Sequence, residues 1–147
     1  KISALIIRRK ILEPYNNQVF DKRFNIIGDY DLVMKIASKY DSNSSDIPSV
    51  NCSFHGENYS LKNRDEYVDE FNYWFKNIDF NNERFLKKKS VIIDNIFYTN
   101  LFRKITKQKK IKNFIAIFKI KNLRKKIKLF MIFFIPKFFI NKLLNKY

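Results

Sequence analysis

Apolar residues change their spacing along the chain, and each change predicts a different element. Ile2 to Arg9 is an apolar run closed by two arginines, and Ser3 to Ile7 within it predicts a buried strand that emerges at a surface. Pro14 then marks a break and Asn16-Asn17 supplies a turn. Phe20-Asp21 opens another turn, Phe24, Ile26 and Ile27 form a buried segment, and Gly28 interrupts the run. Leu32, Val33, Ile36 and Ala37 recur at helical spacing, so a helix is expected from beside Asp29 to about Tyr40. After the polar loop from Asp41 to Asp46, Ile47, Val50, Cys52 and Phe54 alternate with polar residues and predict a half-buried edge strand. Leu61 to Ile78 carries Tyr67, Phe71, Trp74 and Phe75 at helical spacing, an aromatic stripe expected to pack into a core. Asp79 to Glu83 ends this first unit.

Phe85 to Lys112 suits a basic helix or helix pair, and the remaining chain interleaves lysines with Phe, Ile, Leu and Met. Its longest unbroken apolar run, Leu129 to Ile135, is closed by Pro136-Lys137. A spanning helix needs about 20 mostly apolar residues, so this segment is not expected to cross a membrane.

Charge sharpens that division. Residues 1–83 hold 11 basic and 13 acidic side chains, whereas residues 84–147 hold 19 basic side chains and one acid, Asp94, in a chain of net charge +16. Short basic helices bearing aromatics describe an element that lies on an anionic membrane surface, each basic residue adding about 1 kcal/mol of attraction. The alternatives are aromatics that pack on the first unit with solvated lysines, or a non-catalytic module that binds nucleic acid as a polyanion. Apolar clusters such as LFMIFFIPKFFI favour the membrane over nucleic acid.

Few residues can carry chemistry. With one histidine, His55, and one cysteine, Cys52, an all-protein zinc site and an internal disulfide are both excluded, and a lone thiol suits a reducing compartment. Cys52 is expected to be a small buried apolar residue. Arg8 and Arg9 are a basic pair at a strand end, suited to solvent or to a diphosphate. Asp29 and Asp31 stand at a helix start, where a carboxylate first of all caps backbone N–H groups, worth roughly 0.5–2 kcal/mol. If both are helical they lie about 200° apart and should not share one face.

The stretches FDKRFNIIGDYDLVMKIA and FHGENYSLKNRDEYVDEFNYW, in that order, resemble the C-terminal part of the catalytic domain of family 2 glycosyltransferases, over about Ile2 to Trp74. The resemblance implies an α/β fold, the nucleotide-diphosphosugar-binding type called GT-A. It makes residues 1–83 the C-terminal portion of the catalytic domain and 84–147 a basic helical tail. The metal-binding Asp-x-Asp of the family and its donor-binding strands then belong to an upstream region, so this chain is expected to be a fragment, inactive alone. Asp29 corresponds to the base that takes the acceptor hydroxyl proton in an inverting transfer. Gly28 stands where the family often has Glu, and Asp31 is a first-turn structural acid or an acceptor-side contact. HGENYS matches a segment in which the histidine, here His55, helps hold Mn²⁺ or Mg²⁺ on the donor diphosphate. Gly56, Asn58 and Ser60 then form the donor diphosphate loop. The implied activity is transfer of a sugar from a nucleotide-diphosphosugar to a polysaccharide or lipid-linked acceptor in cell-surface glycan synthesis. Its implied location is cytoplasmic, peripheral on the inner face of the membrane.

Overall fold

The computed structural model describes residues 5–15, 18–43, 45–48, 50–51, 59–79, 81–136 and 138–139, without the side chains of residues 60 and 61. Its regular elements are helices: α1 (Arg9–Leu12) with a 3₁₀ turn at Glu13–Tyr15, α2 (Gly28–Ala37), α3 (Tyr59–Lys62), α4 (Arg64–Asn77), α5 (Glu83–Lys107), α6 (Ile111–Ile117) and α7 (Leu123–Phe134).

The expected α/β fold is therefore corrected. No strand occurs among the described residues. Leu5 to Arg8 run without regular structure, and Ile6 is 98% exposed. Ile47, Pro48, Val50 and Asn51 are exposed and likewise unpaired into any ladder. A strand is stable only when its N–H and C=O groups meet a neighbour, and an apolar run alone does not supply one. Lys1 to Ala4, Ser49 and Cys52 to Phe54, the rest of the two expected strands, lie outside the described residues.

The helical expectations hold more closely. α2 starts one residue before Asp29 and gives way to a turn at Ser38, while the segment read as one helix after Leu61 is divided at Asn63 into α3 and α4. Gly28 is the first residue of α2. Asn82 caps α5 by accepting the Arg84 N–H at 3.0 Å, and Asn122 caps α7 by accepting the Lys125 N–H at 3.1 Å.

Two cores form along α5. The first joins Ile27, Phe71, Trp74, Ile92 and Ile96. Tyr30 stands edge-on to Trp74 at 5.0 Å and to Phe71 at 5.5 Å, and Phe71 stacks on Trp74. Each such aromatic buries roughly 150–250 Å², about 4–6 kcal/mol at 25 cal/mol per Å². That exceeds a single local helix cap, so aromatic packing is the larger contribution joining α2 to α4. The second core joins Leu101, Ile105, Ile117, Ile120 and Leu129, with Phe114 touching Phe130 and Phe133. The aromatics of the basic half thus largely pack on one another and on the C-terminal half of α5. The change of charge at Glu83–Arg84 coincides with the first turn of α5.

Polar pairs also tie these helices. Asn72 on α4 and Asn100 on α5 exchange reciprocal amide bonds at 3.0 and 2.7 Å. Asp94 Oδ1 accepts the backbone N–H of Lys121 at 2.9 Å, and its other oxygen lies 3.6 Å from Lys125 Nζ, which fastens the α6–α7 connection to α5.

Candidate functional site

The helix bearing Asp29 and Asp31 is held at both ends by the helices that follow it in the chain. Its start lacks a side-chain cap of its own. Instead, Glu70 reaches from α4 and accepts the backbone N–H groups of Asn25 at 2.7 Å and of Ile26 and Ile27 at 3.0 Å. Three convergent N–H groups at a helix start form an anion-binding concavity, and a buried glutamate fills it. The other end is capped by Arg84 of α5. Its guanidinium donates to the carbonyls of Ala37 and Tyr40 at 3.2 and 2.5 Å and to Asp41 Oδ1 at 2.8 Å. Asn82 adds a bond to the Ser38 carbonyl at 3.2 Å.

Within that frame the two aspartates part company, as their helical spacing predicts. Asp29 is half-buried, and its Oδ1 accepts the N–H of Tyr30 at 2.7 Å. Among the described residues no ion pair reaches it. Asp31 is 4% exposed, and its Oδ2 lies 2.5 Å from Lys35 Nζ one turn along. The same lysine lies 3.9 Å from Asp21 Oδ2.

Asp21 and Arg23 were not singled out as functional by sequence reasoning, yet they share a cavity with Asp31. Asp21 receives both the side chain and the backbone N–H of Arg23, with the guanidinium at 2.6 and 2.9 Å. The hydrogen bonds from Arg23 hold the Asp21 carboxyl well below the usual carboxylate range, against an opposing effect of burial. Arg23 also donates to the Tyr73 hydroxyl at 2.6 Å. The cavity lined by these groups with Lys35 and Asn77 has a volume of about 190 Å³. Small-molecule sites usually measure about 300–1,000 Å³, and the carboxylates here are already engaged, so this is an ion-paired support beneath α2. A three-residue Asp-x-Arg turn, Asp21 to Arg23, is its only sequence signal.

His55, Gly56 and Asn58 lie outside the described residues, and Ser60 is placed only as a backbone position in α3. No group of three His, Cys, Asp or Glu able to hold a metal occurs among the described residues. Asp21 and Asp31, which share Lys35, are taken up by Arg23 and Lys35 and are not offered to a cation.

The basic half presents a different kind of surface. Leu123, Ile127, Met131 and Phe134 on α7 are 49–69% exposed, and at about 100° per residue they fall within an arc of roughly 80°. Arg124 and Lys128, both exposed, border that arc. Ile115 on α6 and Phe118, its C-terminal capping position, are each 60% exposed. The two helices meet through Phe118 against Phe130 at 5.4 Å and Phe114 against Phe134 at 5.8 Å, so the exposed apolar positions adjoin across one seam. As expected, no helix among the described residues is long and apolar enough to cross a membrane.

Set beside known proteins, the chain matches no family model, no curated protein and no solved structure.

Proposed function

We propose that this chain supplies the base-bearing segment of a glycosyltransferase that moves a sugar from a nucleotide-diphosphosugar to a glycan or lipid-linked acceptor at the inner face of the membrane. The observation that carries it is the contrast between the two acids of α2. Asp31 is buried against Lys35, while Asp29 is half-exposed, carries no ion pair among the described residues and sits on a helix fixed at both ends. A general base must be a reachable carboxylate held in a defined place, and Asp29 meets that description. Its Oδ1 bond to Tyr30 leaves Oδ2 to take the acceptor hydroxyl proton as the hydroxyl oxygen bonds to the anomeric carbon and the nucleotide diphosphate departs with the electrons of the broken C–O bond.

The resemblance of FDKRFNIIGDYDLVMKIA and FHGENYSLKNRDEYVDEFNYW to family 2 glycosyltransferases supports the same assignment. On this proposal His55 would help hold Mn²⁺ or Mg²⁺, which would supply neutralisation of donor diphosphate charge, and Gly56, Asn58 and Ser60 would serve as the diphosphate loop. A donor site beyond these residues is required for turnover.

The test is sugar transfer by the complete protein carrying Asp29→Asn, with urea unfolding in parallel. Transfer falls by at least 100-fold while the unfolding midpoint stays within experimental error of wild type. Full activity in Asp29→Asn removes Asp29 from the mechanism.

A further inference from the structure

We infer that the outward face of the α6–α7 pair, built from Ile115, Phe118, Leu123, Ile127, Met131 and Phe134, docks onto an anionic phospholipid surface. The inference deepens the peripheral-membrane part of the proposed function and rests on that part alone. Three observations select this occupant. The apolar side chains form a stripe along one side of α7 and continue across the seam onto α6, opposite the buried Leu129. Exposed Arg124 and Lys128 border the stripe at the level where lipid phosphates meet acyl chains. The segment that carries it, residues 84–147, has 19 basic side chains against one acid.

The same charge argues against other occupants. A second copy of the chain would bring a like-charged face onto this one, with no acidic surface in the segment to offset the repulsion. Nucleic acid satisfies the lysines but leaves Ile115, Leu123, Ile127 and Met131 in water, since aliphatic side chains offer bases no stacking plane. An anionic bilayer satisfies both, taking the apolar stripe into the acyl boundary and the cations among its headgroups. The second core keeps the face in place: Leu129 is fully buried, and Phe130 and Phe133 pack inward while Met131 and Phe134 point out.

The experiment is partition of the whole chain onto vesicles of phosphatidylcholine alone and of phosphatidylcholine with 30% phosphatidylglycerol, at low and high salt. Wild type binds the anionic vesicles and releases at high salt. Ile127→Glu/Met131→Glu, at exposed positions where helix content by circular dichroism is retained, binds at least tenfold less. Met131→Trp reports depth: its fluorescence is quenched by brominated acyl chains, whereas the buried Trp74 of wild type is not.

If wild type binds but the double glutamate variant binds equally well, or if Met131→Trp escapes quenching, this face is not the docking surface and peripheral location stands on other residues. If wild type ignores anionic vesicles yet binds single-stranded RNA, the surface is a polyanion site and the membrane assignment falls. Asp29→Asn binds vesicles as wild type does, so loss of transfer and loss of docking are read separately.

Discussion

The carboxylate of Glu70 accepts the backbone N–H of Ile27 at 3.0 Å, across 43 positions of sequence, and the same oxygen accepts the N–H of Ile26. This contact does the work that a local serine or aspartate cap does at other helix starts. It makes the entry to α2 depend on α4, so the position of Asp29 is a tertiary property.

Replacing Glu70 by Ala leaves three backbone donors without their acceptor in a partly buried turn. Hydrogen bonds to a charged group contribute about 1.5–3 kcal/mol each net of exchange with water, and these three share one carboxylate in a turn that water reaches in part, so a loss of about 3 kcal/mol is expected. Glu70→Gln keeps the shape but presents one amide N–H toward donors, and loses about 2 kcal/mol. Urea unfolding monitored by Trp74 measures both, and a change under 0.5 kcal/mol for Glu70→Ala would refute the structural role given to this carboxylate.

Arg84 should act as a fork. Its guanidinium reaches two carbonyls at the end of α2 and Asp41 at once, and a lysine ammonium on the same stem cannot reproduce that plane. Arg84→Lys and Arg84→Ala are both expected to destabilise by about 1–2 kcal/mol and to speed amide exchange at Ser38, Lys39 and Tyr40. Exchange at those amides unchanged from wild type would dissociate Arg84 from the end of α2.

The legible part of this fold is the local part. The 3.6-residue spacing of Leu32, Val33 and Ile36 fixed the expectation for α2, the Tyr67–Phe71–Trp74 stripe gave α4 its inward face, and Pro136 placed a break just beyond the end of α7. The contacts that hold α2 were not legible, because nothing near Glu70 or Arg84 marks partners more than 40 residues away. The expected strands failed for the same physical reason: a short apolar run is common to a strand, a buried helix and a coil, and only a neighbouring ladder decides. The separation of Asp29 from Asp31 was legible from helical geometry, whereas the ion-paired support formed by Asp21, Arg23 and Lys35 required the turn at Phe20–Asp21 to meet α2 in space.

The Asp31–Lys35 pair is asymmetric: the carboxylate is 5% exposed and the ammonium side chain 41% exposed. Removing only the lysine strands a charge in the interior, so Lys35→Met should destabilise by about 2 kcal/mol, below the 3–5 kcal/mol of a fully buried pair. The double variant Lys35→Met/Asp31→Leu should recover part of that loss. A double-mutant cycle by urea unfolding checks the sign of the coupling, and simple additivity would show that the two charges do not interact.

Asp21 predicts an acid limb. Its folded pKa is depressed by the Arg23 hydrogen bonds, so it contributes stability that is fully present above the unfolded value near 3.9 and is lost as pH falls toward the folded one. Asp21→Asn should therefore differ most from wild type at pH 6, and the difference should narrow progressively as pH falls below about 4. Urea midpoints across that range test it, and a constant offset at every pH would mean that the side chain acts by packing alone.

Asp94 is the single acid in residues 84–147, and it is spent on structure. It accepts the Lys121 N–H and stands beside Lys125, so it fixes the point from which α7 departs and hence the direction in which Leu123, Ile127 and Met131 face. Asp94→Asn keeps one acceptor but removes the charge that faces Lys125. It should lower stability by about 1–2 kcal/mol, since a charge-assisted bond becomes a neutral one. Asp94→Ala also removes the acceptor and should expose the Lys121 amide to exchange ahead of its neighbours on α5. Hydrogen exchange distinguishes these outcomes residue by residue. Protection at Lys121 retained in Asp94→Ala would mean that the α6–α7 connection is held by the second core without this carboxylate.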